Sequence, residues 1–102
     1  MSFEKWGYTF EGAFTDPASL EQRSGVYVIW CKTGDNWKVL DVGESHNVQE
    51  RVMNHAREDC WKRNCTGVIY YSVTYTPNLQ QAGRQQIEQE IRNPTSPPCG
   101  EI

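Results

Sequence analysis

The stretch "GVYVIWCKTGDNWKVLDVGES", residues 25–45, decides the fold. Its first part, residues 25–31, is rich in β-branched and aromatic side chains, a composition typical of a buried strand. Residues 32–36 read "KTGDN", which is turn-forming sequence, and residues 37–43 have the character of a second strand. We therefore predict a β-hairpin closed by a five-residue loop.

The chain after this hairpin predicts two helices and one further strand. Asn47, with Glu50 three residues later, has the spacing of a helix-capping box, and apolar residues at helical spacing continue to Cys60. Residues 67–75 predict a strand, and residues 77–94 predict a helix that Pro94 ends. The buried stripe of this last helix is predicted to consist of Leu79, Ala82, Gly83, Ile87 and Ile91.

The residues before the hairpin predict less structure. Residues 5–14 alternate loosely and are rich in aromatics, which indicates a first strand, and Asp16 followed by Pro17 is a helix-start signal. The order of elements predicts an α+β domain with a small central antiparallel sheet of about three core strands, plus this N-terminal strand, flanked by helices. We expect one domain over residues 1–102, in which residues 1–24 form an N-terminal extension.

Composition limits the class of protein. With 102 residues and 23% charged residues, the chain is typical of one soluble globular domain. The net charge of −3 argues against indiscriminate nucleic-acid binding, which clustered lysines and arginines normally drive. No apolar stretch is long enough to span a membrane, and the N-terminus lacks the layout of a signal peptide. We therefore expect a cytoplasmic protein without a membrane partner.

Four cysteines are present, and in a cytoplasmic chain we interpret them as thiols. A zinc site is an alternative for His55, Cys60 and Cys65, with a fourth ligand from Cys31 or Cys99. The spacing of four intervening residues is wider than in most structural zinc sites, so small thiols are the preferred interpretation.

Two strands of the hairpin each carry a group with a polar end, Tyr27 and Asp41. If Cys31 pairs with Trp37, then Tyr27 pairs with Asp41, and cross-strand partners share one face of a sheet. A one-residue slip would move Asp41 to the other face, so this register is a hypothesis. Two polar ends on one face of a short sheet predict the floor of a functional site.

Three more side chains are predicted to reach that site. Arg51 and His55 are four residues apart and share one face of the predicted helix, beside its apolar stripe. Glu88 borders the buried face of the last helix. A carboxylate can bind a hard divalent cation, the cation and an arginine can neutralise charge on a phosphate, and a tyrosine can activate water. This set of groups suits phosphodiester hydrolysis.

The chain resembles the GIY-YIG nucleases, a family of nucleic-acid-cleaving domains, from about residue 25 to residue 100. "GVYVI" and "DVGES" are similar to the two motifs that name the family. "NVQERVMNH" is similar to its arginine-containing helix, "RQQIEQEI" to the helix that carries its metal-binding glutamate, and "PPCG" to its closing segment. No single motif is specific, but all five occur in the expected order.

The resemblance implies hydrolysis of nucleic-acid phosphodiester bonds, with DNA as the expected partner and Mg²⁺ or Mn²⁺ as cofactor. It implies that Tyr27 is the general base or orients water, that Arg51 stabilises the phosphate, and that Glu88 is the metal ligand. His55 would support the site, and Ser45, after the second motif, would contact substrate. From the charge pattern, Lys62 and Arg63 are further candidates for phosphate binding.

Two positions depart from the family pattern: Asp41 replaces the tyrosine of the second motif, and Gly100 replaces the terminal asparagine. Asp41 could add ligand charge beside a metal ion or act as a base near Tyr27. Without a metal its charge would repel a phosphate by about 1 kcal/mol at 4 Å in water. The alternative prediction is therefore a catalytically impaired module with the same fold that binds nucleic acid or a protein.

Overall fold

Strand β3 (Gly25–Thr33) is buried on both faces of a five-stranded antiparallel sheet. In the computed structural model, which describes residues 1–100, β3 pairs with β4 on one side and with β5 on the other. Alternate β3 side chains enter two cores, because successive side chains of a strand point to opposite faces. The apolar run that opens the hairpin is explained by this double burial.

The sheet order is β1-β2-β5-β3-β4. The strands are β1 (Ser2–Lys5), β2 (Tyr8–Phe14), β3, β4 (Asn36–Ser45) and β5 (Val68–Tyr75). The helices are α1 (Val48–Met53), α2 (Glu58–Arg63) and α3 (Gln81–Thr95). The α+β class is confirmed. The predicted N-terminal extension instead contributes two strands, which form a hairpin that joins the sheet through β2 and β5.

Helices cover both faces of the sheet. On one face, Val48 and Val52 of α1 and Trp61 of α2 pack with Tyr27 and Ile29. On the other face, α3 contributes Ile87 and Ile91 to a core that contains further residues of β3. Among residues 1–100, none of the helices combines the length and the apolar character needed to cross a membrane.

The β3–β4 hairpin turn is shorter than predicted. Thr33 pairs with Asn36, so the loop contains only Gly34 and Asp35. Gly34 has φ 61°, a conformation that glycine adopts without strain, and it stands at the first central position, which a type II′ turn reserves for glycine. Because the flanking lysine, threonine and asparagine belong to strands, the predicted five-residue loop is wrong.

A β-bulge at Leu40 changes the register of this hairpin. Ile29 pairs with Asp41, whereas Trp30 pairs with Val39, so Leu40 is the extra residue of β4. Tyr27 consequently pairs with Gly43 and not with Asp41. The predicted pairing is wrong. Tyr27 and Asp41 still lie on the same face of the sheet, because Asp41 pairs with Ile29, which is two residues from Tyr27 in β3.

The predicted helix over residues 47–60 is two short helices. Asn47 caps α1 as predicted, since its side chain accepts a hydrogen bond from the Glu50 backbone N–H. The helix then ends at Asn54, whose backbone and side-chain amides both donate to the Glu50 carbonyl. His55 therefore lies in the connection between α1 and α2, not on the same helix as Arg51.

The last helix also differs in detail. α3 begins at Gln81, so Leu79 precedes it and is 41% exposed, and Ala82 is exposed as well. Pro94 lies inside the last turn, and the helix ends at Thr95. The buried stripe contains Ile87 and Ile91 as predicted, but its other members are Arg84 and Arg92.

The cysteines form two disulfides, Cys31–Cys65 and Cys60–Cys99. Free cysteines are absent from the described residues, so the interpretation as thiols is wrong. The same bonds occupy the cysteine sulfurs that the zinc alternative requires. Spacing could not reveal the pairing, because it depends on which strands and helices become neighbours.

Candidate active site

Tyr27 forms the base of the candidate site. Its side chain is 1% exposed and lies across Gly43 of the neighbouring strand β4. A Cβ atom at Gly43 would overlap the hydroxyl and ring carbons of Tyr27. Glycine is therefore required at this point of the second motif, because any larger residue would displace the tyrosine.

His55 positions the Tyr27 hydroxyl. Its Nε2 lies 2.6 Å from Tyr27 Oη, and its Nδ1 accepts a hydrogen bond from the Arg57 backbone N–H at 3.0 Å. Since Nδ1 is an acceptor, the neutral ring carries its proton on Nε2, and we assign Nε2 as the donor to Tyr27. The O–H of Tyr27 is then free to donate to another group.

Asp41 is fully buried and is the centre of an ionic cluster. Its Oδ2 accepts from Arg57 Nε at 2.7 Å and from Trp61 Nε1 at 2.8 Å. Its Oδ1 accepts from Arg92 Nη2 at 2.7 Å and from Arg57 Nη2 at 3.2 Å. These four donors fill the acceptor positions of the carboxylate, so in this geometry Asp41 has no free position for the role beside a metal ion or as a base that the sequence suggested. Its role in this geometry is to hold the site together.

Asp41 and Gly100 lie against each other in the structure. Gly100 has φ 95°, and a Cβ atom there would overlap the Arg92 guanidinium and approach Asp41 Oδ1 to 2.8 Å. The Asp41–Arg92 ion pair thus occupies the space that a side chain at position 100 would need. The small size of Gly100 therefore makes room for the buried Asp41–Arg92 ion pair.

Arg92 connects this cluster to Glu88. Its Nε donates to Glu88 Oε2 at 3.0 Å, and its Nη1 donates to the Cys99 carbonyl at 3.1 Å. Its Nη2 also contacts the Val42 carbonyl. The Glu88 side chain is 23% exposed, and its Oε1 forms no hydrogen bond with any residue in the 1–100 range.

A continuous hydrogen-bonded network therefore runs from Tyr27 to Glu88. It passes through His55 and the backbone of Arg57, then through the Arg57 side chain to Asp41 and Arg92. Residues from β3, β4, α3 and the connection between α1 and α2 contribute to it. The structure thus brings four of the five predicted catalytic residues into one network.

Arg51, the fifth, forms no salt bridge with any residue that the structure describes. It is exposed, and its charge lies near enough to Tyr27 and His55 to shift the pKa of both. It lines an open cavity of about 380 Å³ with Glu44 and Arg84. Glu44 and Arg84 form an ion pair with each other, in which Arg84 Nε lies 3.1 Å from Glu44 Oε2. Arg51 is therefore the arginine of this cavity wall that has no carboxylate partner among residues 1–100.

The three predicted substrate-binding residues lie outside the network. Ser45 also lines the 380 Å³ cavity, but its hydroxyl is engaged with the backbone of Asn47 in a local turn. Lys62 and Arg63 are exposed on α2, where Lys62 lies 3.9 Å from Glu58. Arg63 lines a different cavity, next to Lys38.

Sequence reasoning missed Arg57, Trp61 and Arg92 as parts of the site. A signal was present for Arg92, because Arg84, Ile87 and Ile91 are spaced as one helical stripe that continues to Arg92. An arginine on a buried stripe needs a buried counterion, and Asp41 was the candidate in an apolar strand. Nothing comparable marked Trp61, because a buried tryptophan is explained by packing alone.

Burial sets the protonation states of the two central groups. Desolvation, reinforced by the negative charge of Asp41, raises the pKa of Tyr27 to about 12. Desolvation and the nearby charges of Arg57 and Arg51 lower the pKa of His55 to about 4. Both groups are therefore neutral at pH 7, in agreement with the hydrogen bond from His55 to Tyr27.

Stability should consequently depend on His55 in mild acid. The pKa of His55 is about 4 when folded and 6.5 in an unfolded chain, so the unfolded state binds more protons between these values. The contribution of His55 is fully present above pH 6.5 and is lost as the pH falls towards 4. We expect the free energy of unfolding in urea to decrease over this interval.

The control uses the second histidine of the chain. His55→Gln should flatten the dependence between pH 6.5 and 4, whereas His46→Gln, which replaces an exposed histidine, should keep it. Parallel pH profiles for wild type and His55→Gln would show that His55 does not carry the effect.

Comparison with known proteins gives no match. No family model, no curated protein and no solved structure matches this chain to a significant degree. The resemblance to the GIY-YIG nucleases therefore stays a prediction from the motifs quoted above.

Proposed function

We propose that this protein is a GIY-YIG-like endonuclease domain that hydrolyses nucleic-acid phosphodiester bonds, with DNA as the expected substrate and Mg²⁺ or Mn²⁺ as cofactor. The observation that carries the proposal is the network from Tyr27 to Glu88. This network joins residues that belong to separate motifs and lie far apart in the chain. Arg51 lies near the tyrosine, is exposed and forms no salt bridge among residues 1–100.

Arg51 is the group that binds the scissile phosphate in this proposal. Its guanidinium lines the 380 Å³ cavity and is the cation of that wall without a carboxylate partner among residues 1–100. Guanidinium groups bind phosphate oxygens with two parallel hydrogen bonds, and their charge stabilises the transition state. Removing such a group typically costs a factor of about 100 to 1,000 in rate.

Tyr27 orients the attacking water. With a pKa of about 12, it is protonated at neutral pH, so it is a poor base on its own. His55 donates to the tyrosine oxygen, and the tyrosine O–H is therefore free to fix a water molecule or a phosphate oxygen. His55 is in this sense a positioning residue, because it acts through Tyr27.

Glu88 is the group that fits a divalent cation. Among residues 1–100, no three or more His, Cys, Asp or Glu side chains are grouped so that they could hold a metal ion together. Mg²⁺ sites, however, often use one carboxylate with waters and substrate phosphate, and Glu88 Oε1 is a free, partly exposed acceptor. A cation there would supply Lewis-acid stabilisation of the leaving oxygen. Arg92 holds the other oxygen and so fixes the carboxylate.

The decisive measurement is cleavage of a supercoiled plasmid, a flap and a single-stranded oligonucleotide with Mg²⁺, with Mn²⁺ and with chelator. We expect metal-dependent cleavage, and we expect Glu88→Gln and Arg51→Ala to lower its rate by at least about 100-fold. Glu50→Gln, on an exposed face of α1, is the matched control and should cleave at the wild-type rate. Cleavage that persists in Glu88→Gln would contradict the assigned metal ligand.

A second function, binding without cleavage, is favoured by two observations. Asp41 has no free acceptor position, and the raised pKa of Tyr27 leaves the site without a strong base at neutral pH. A domain with this fold that binds nucleic acid or a protein would show no cleavage with any metal. Binding of the same substrates in the absence of cleavage would identify this alternative.

The two disulfides bear on where the protein works. Disulfides persist in oxidising compartments, whereas cytosolic thiols are kept reduced. The pairs Cys31–Cys65 and Cys60–Cys99 therefore favour an oxidising environment over the cytoplasm expected from the sequence. The cytoplasmic assignment stays a prediction.

A further inference from the structure

A second surface carries features that the candidate active site does not use. It lies on the face of the sheet that α3 covers. Trp30 belongs to the core on this face, whereas Tyr27 belongs to the core on the opposite face. Trp6, in the turn between β1 and β2, stacks on Trp30 with ring centres 5.6 Å apart. Trp37 of β4 packs edge-on against Trp30 at 6.0 Å and lies 4.9 Å from Tyr70 of β5. We call this surface the aromatic groove.

The aromatic groove is open to solvent. Trp37 is 47% exposed, whereas Trp30 is 8% and Trp61 is 1% exposed. Two cavities, of about 530 and 420 Å³, lie in the groove and share Lys5, Trp30 and Trp37. A large aromatic side chain exposed beside cavities of this size marks a candidate binding surface.

The charge of the groove selects its occupant. Lys5 lies 5.7 Å from the centre of the Trp6 ring, Lys32 lies 5.5 Å from that of Trp37, and Lys38 lines the smaller cavity. Three of the four lysines of the chain are thus at this surface, and no Asp or Glu lines either cavity. In a protein of net charge −3, this local excess of cations favours a polyanion.

An exposed indole ring beside lysines suits single-stranded nucleic acid. Unpaired bases can stack on aromatic side chains while the phosphates contact the lysines, whereas the bases of a duplex are already stacked and paired. A neutral sugar could also stack on an indole, but its hydroxyls would be served better by carboxylates, which do not line these cavities.

We propose that the aromatic groove is a binding site for single-stranded nucleic acid, separate from the Tyr27–Glu88 network, in which Trp37 stacks on a base and Lys5 and Lys32 contact the phosphates. The site does not depend on cleavage. If the proposed nuclease activity is real, the groove would hold a strand away from the point of hydrolysis.

The test is binding of a fluorescein-labelled oligothymidylate of about 12 nucleotides, measured by anisotropy in EDTA so that metal-dependent cleavage plays no part. Wild-type protein should bind, and Trp37→Ala should weaken binding by about 5-fold or more, the loss expected from one base stack. Leu79→Ala is the matched control, because Leu79 is similarly exposed and does not line the groove. Lys32→Ala should reduce the salt slope by about 0.7, whereas Arg23→Ala, which removes an exposed cation outside the groove, should not.

An abasic strand of the same length separates stacking from charge alone. It should bind about as weakly as oligothymidylate binds to Trp37→Ala. Equal binding of the abasic strand and oligothymidylate would overturn the proposal, and so would preference for duplex DNA. Unchanged binding by Trp37→Ala, or saturable binding of a neutral oligosaccharide without binding of oligothymidylate, would also overturn it. Because the assay contains no metal, failure of the nuclease assay and failure of this one are independent results.

Discussion

Reduction of the two disulfides is expected to lower the melting temperature by tens of degrees. Cys31–Cys65 and Cys60–Cys99 close loops with sequence separations of 34 and 39. From the loop-closure entropy, each disulfide is expected to stabilise the folded state by about 4 kcal/mol. Domains of this size have total free energies of unfolding of about 5–15 kcal/mol. Since 1 kcal/mol corresponds to about 4–8 °C for a domain near 100 residues, the loss of one disulfide already amounts to roughly 15–30 °C.

The measurement is thermal unfolding followed by circular dichroism, with and without reductant, after thiol titration has established that all four sulfurs are free. Cys31→Ser with Cys65→Ser and Cys60→Ser with Cys99→Ser separate the two contributions. The second pair should also loosen the candidate site, because the Cys99 carbonyl accepts from Arg92 and the Cys99 amide donates to the Leu40 carbonyl. Identical melting curves for the oxidised and fully reduced protein would refute this account.

Asp41→Asn is expected to lower the free energy of unfolding by about 3–5 kcal/mol, the cost of removing one partner from a buried ion cluster. The substitution keeps the shape of the side chain but leaves Arg57 and Arg92 without their shared counterion. Arg92 is 5% exposed and cannot turn to water without leaving Glu88. The loss should appear as a lower midpoint in urea with an unchanged slope.

The comparison variant is Asp35→Asn, which makes the same chemical change at an exposed hairpin turn and should alter stability by less than about 0.5 kcal/mol. Arg92→Met in the Asp41→Asn background should recover part of the loss, because it removes one of the two charges left without a counterion. A near-neutral effect of Asp41→Asn would mean that the cluster does not stabilise the fold.

Local patterns predicted the parts of the fold that depend on neighbours in sequence. The strand character of residues 25–31, the Asn47 cap and the pairing of Ile87 with Ile91 on one face follow from periodicity and side-chain chemistry. The bulge at Leu40 could not be predicted in this way, because it is set by how two strands fit against both cores. The same holds for the end of α1, where burial of His55 overrides helical spacing.

The candidate site shows the same division. The motifs predicted Tyr27, Arg51, His55 and Glu88 as site residues. They did not predict the four donors that engage the Asp41 carboxylate. Those neighbours come from α2, α3 and the connection between α1 and α2, which meet only in the folded chain. A sequence pattern can suggest the residues of a site. It does not show which hydrogen-bond donors surround a buried carboxylate, because those donors are brought together by tertiary packing.

The two disulfides also determine whether the fragments of a cleaved chain stay covalently linked. The interval closed by Cys31–Cys65 overlaps the interval closed by Cys60–Cys99 between residues 60 and 65. A single backbone cut anywhere between residues 31 and 99 therefore leaves both fragments joined through at least one sulfur bridge. A nicked molecule would keep the mass of the intact one, apart from one added water, and would separate into two pieces only after reduction. A protease that cuts the exposed segment after β5, residues 77–80, would thus leave every strand of the sheet attached.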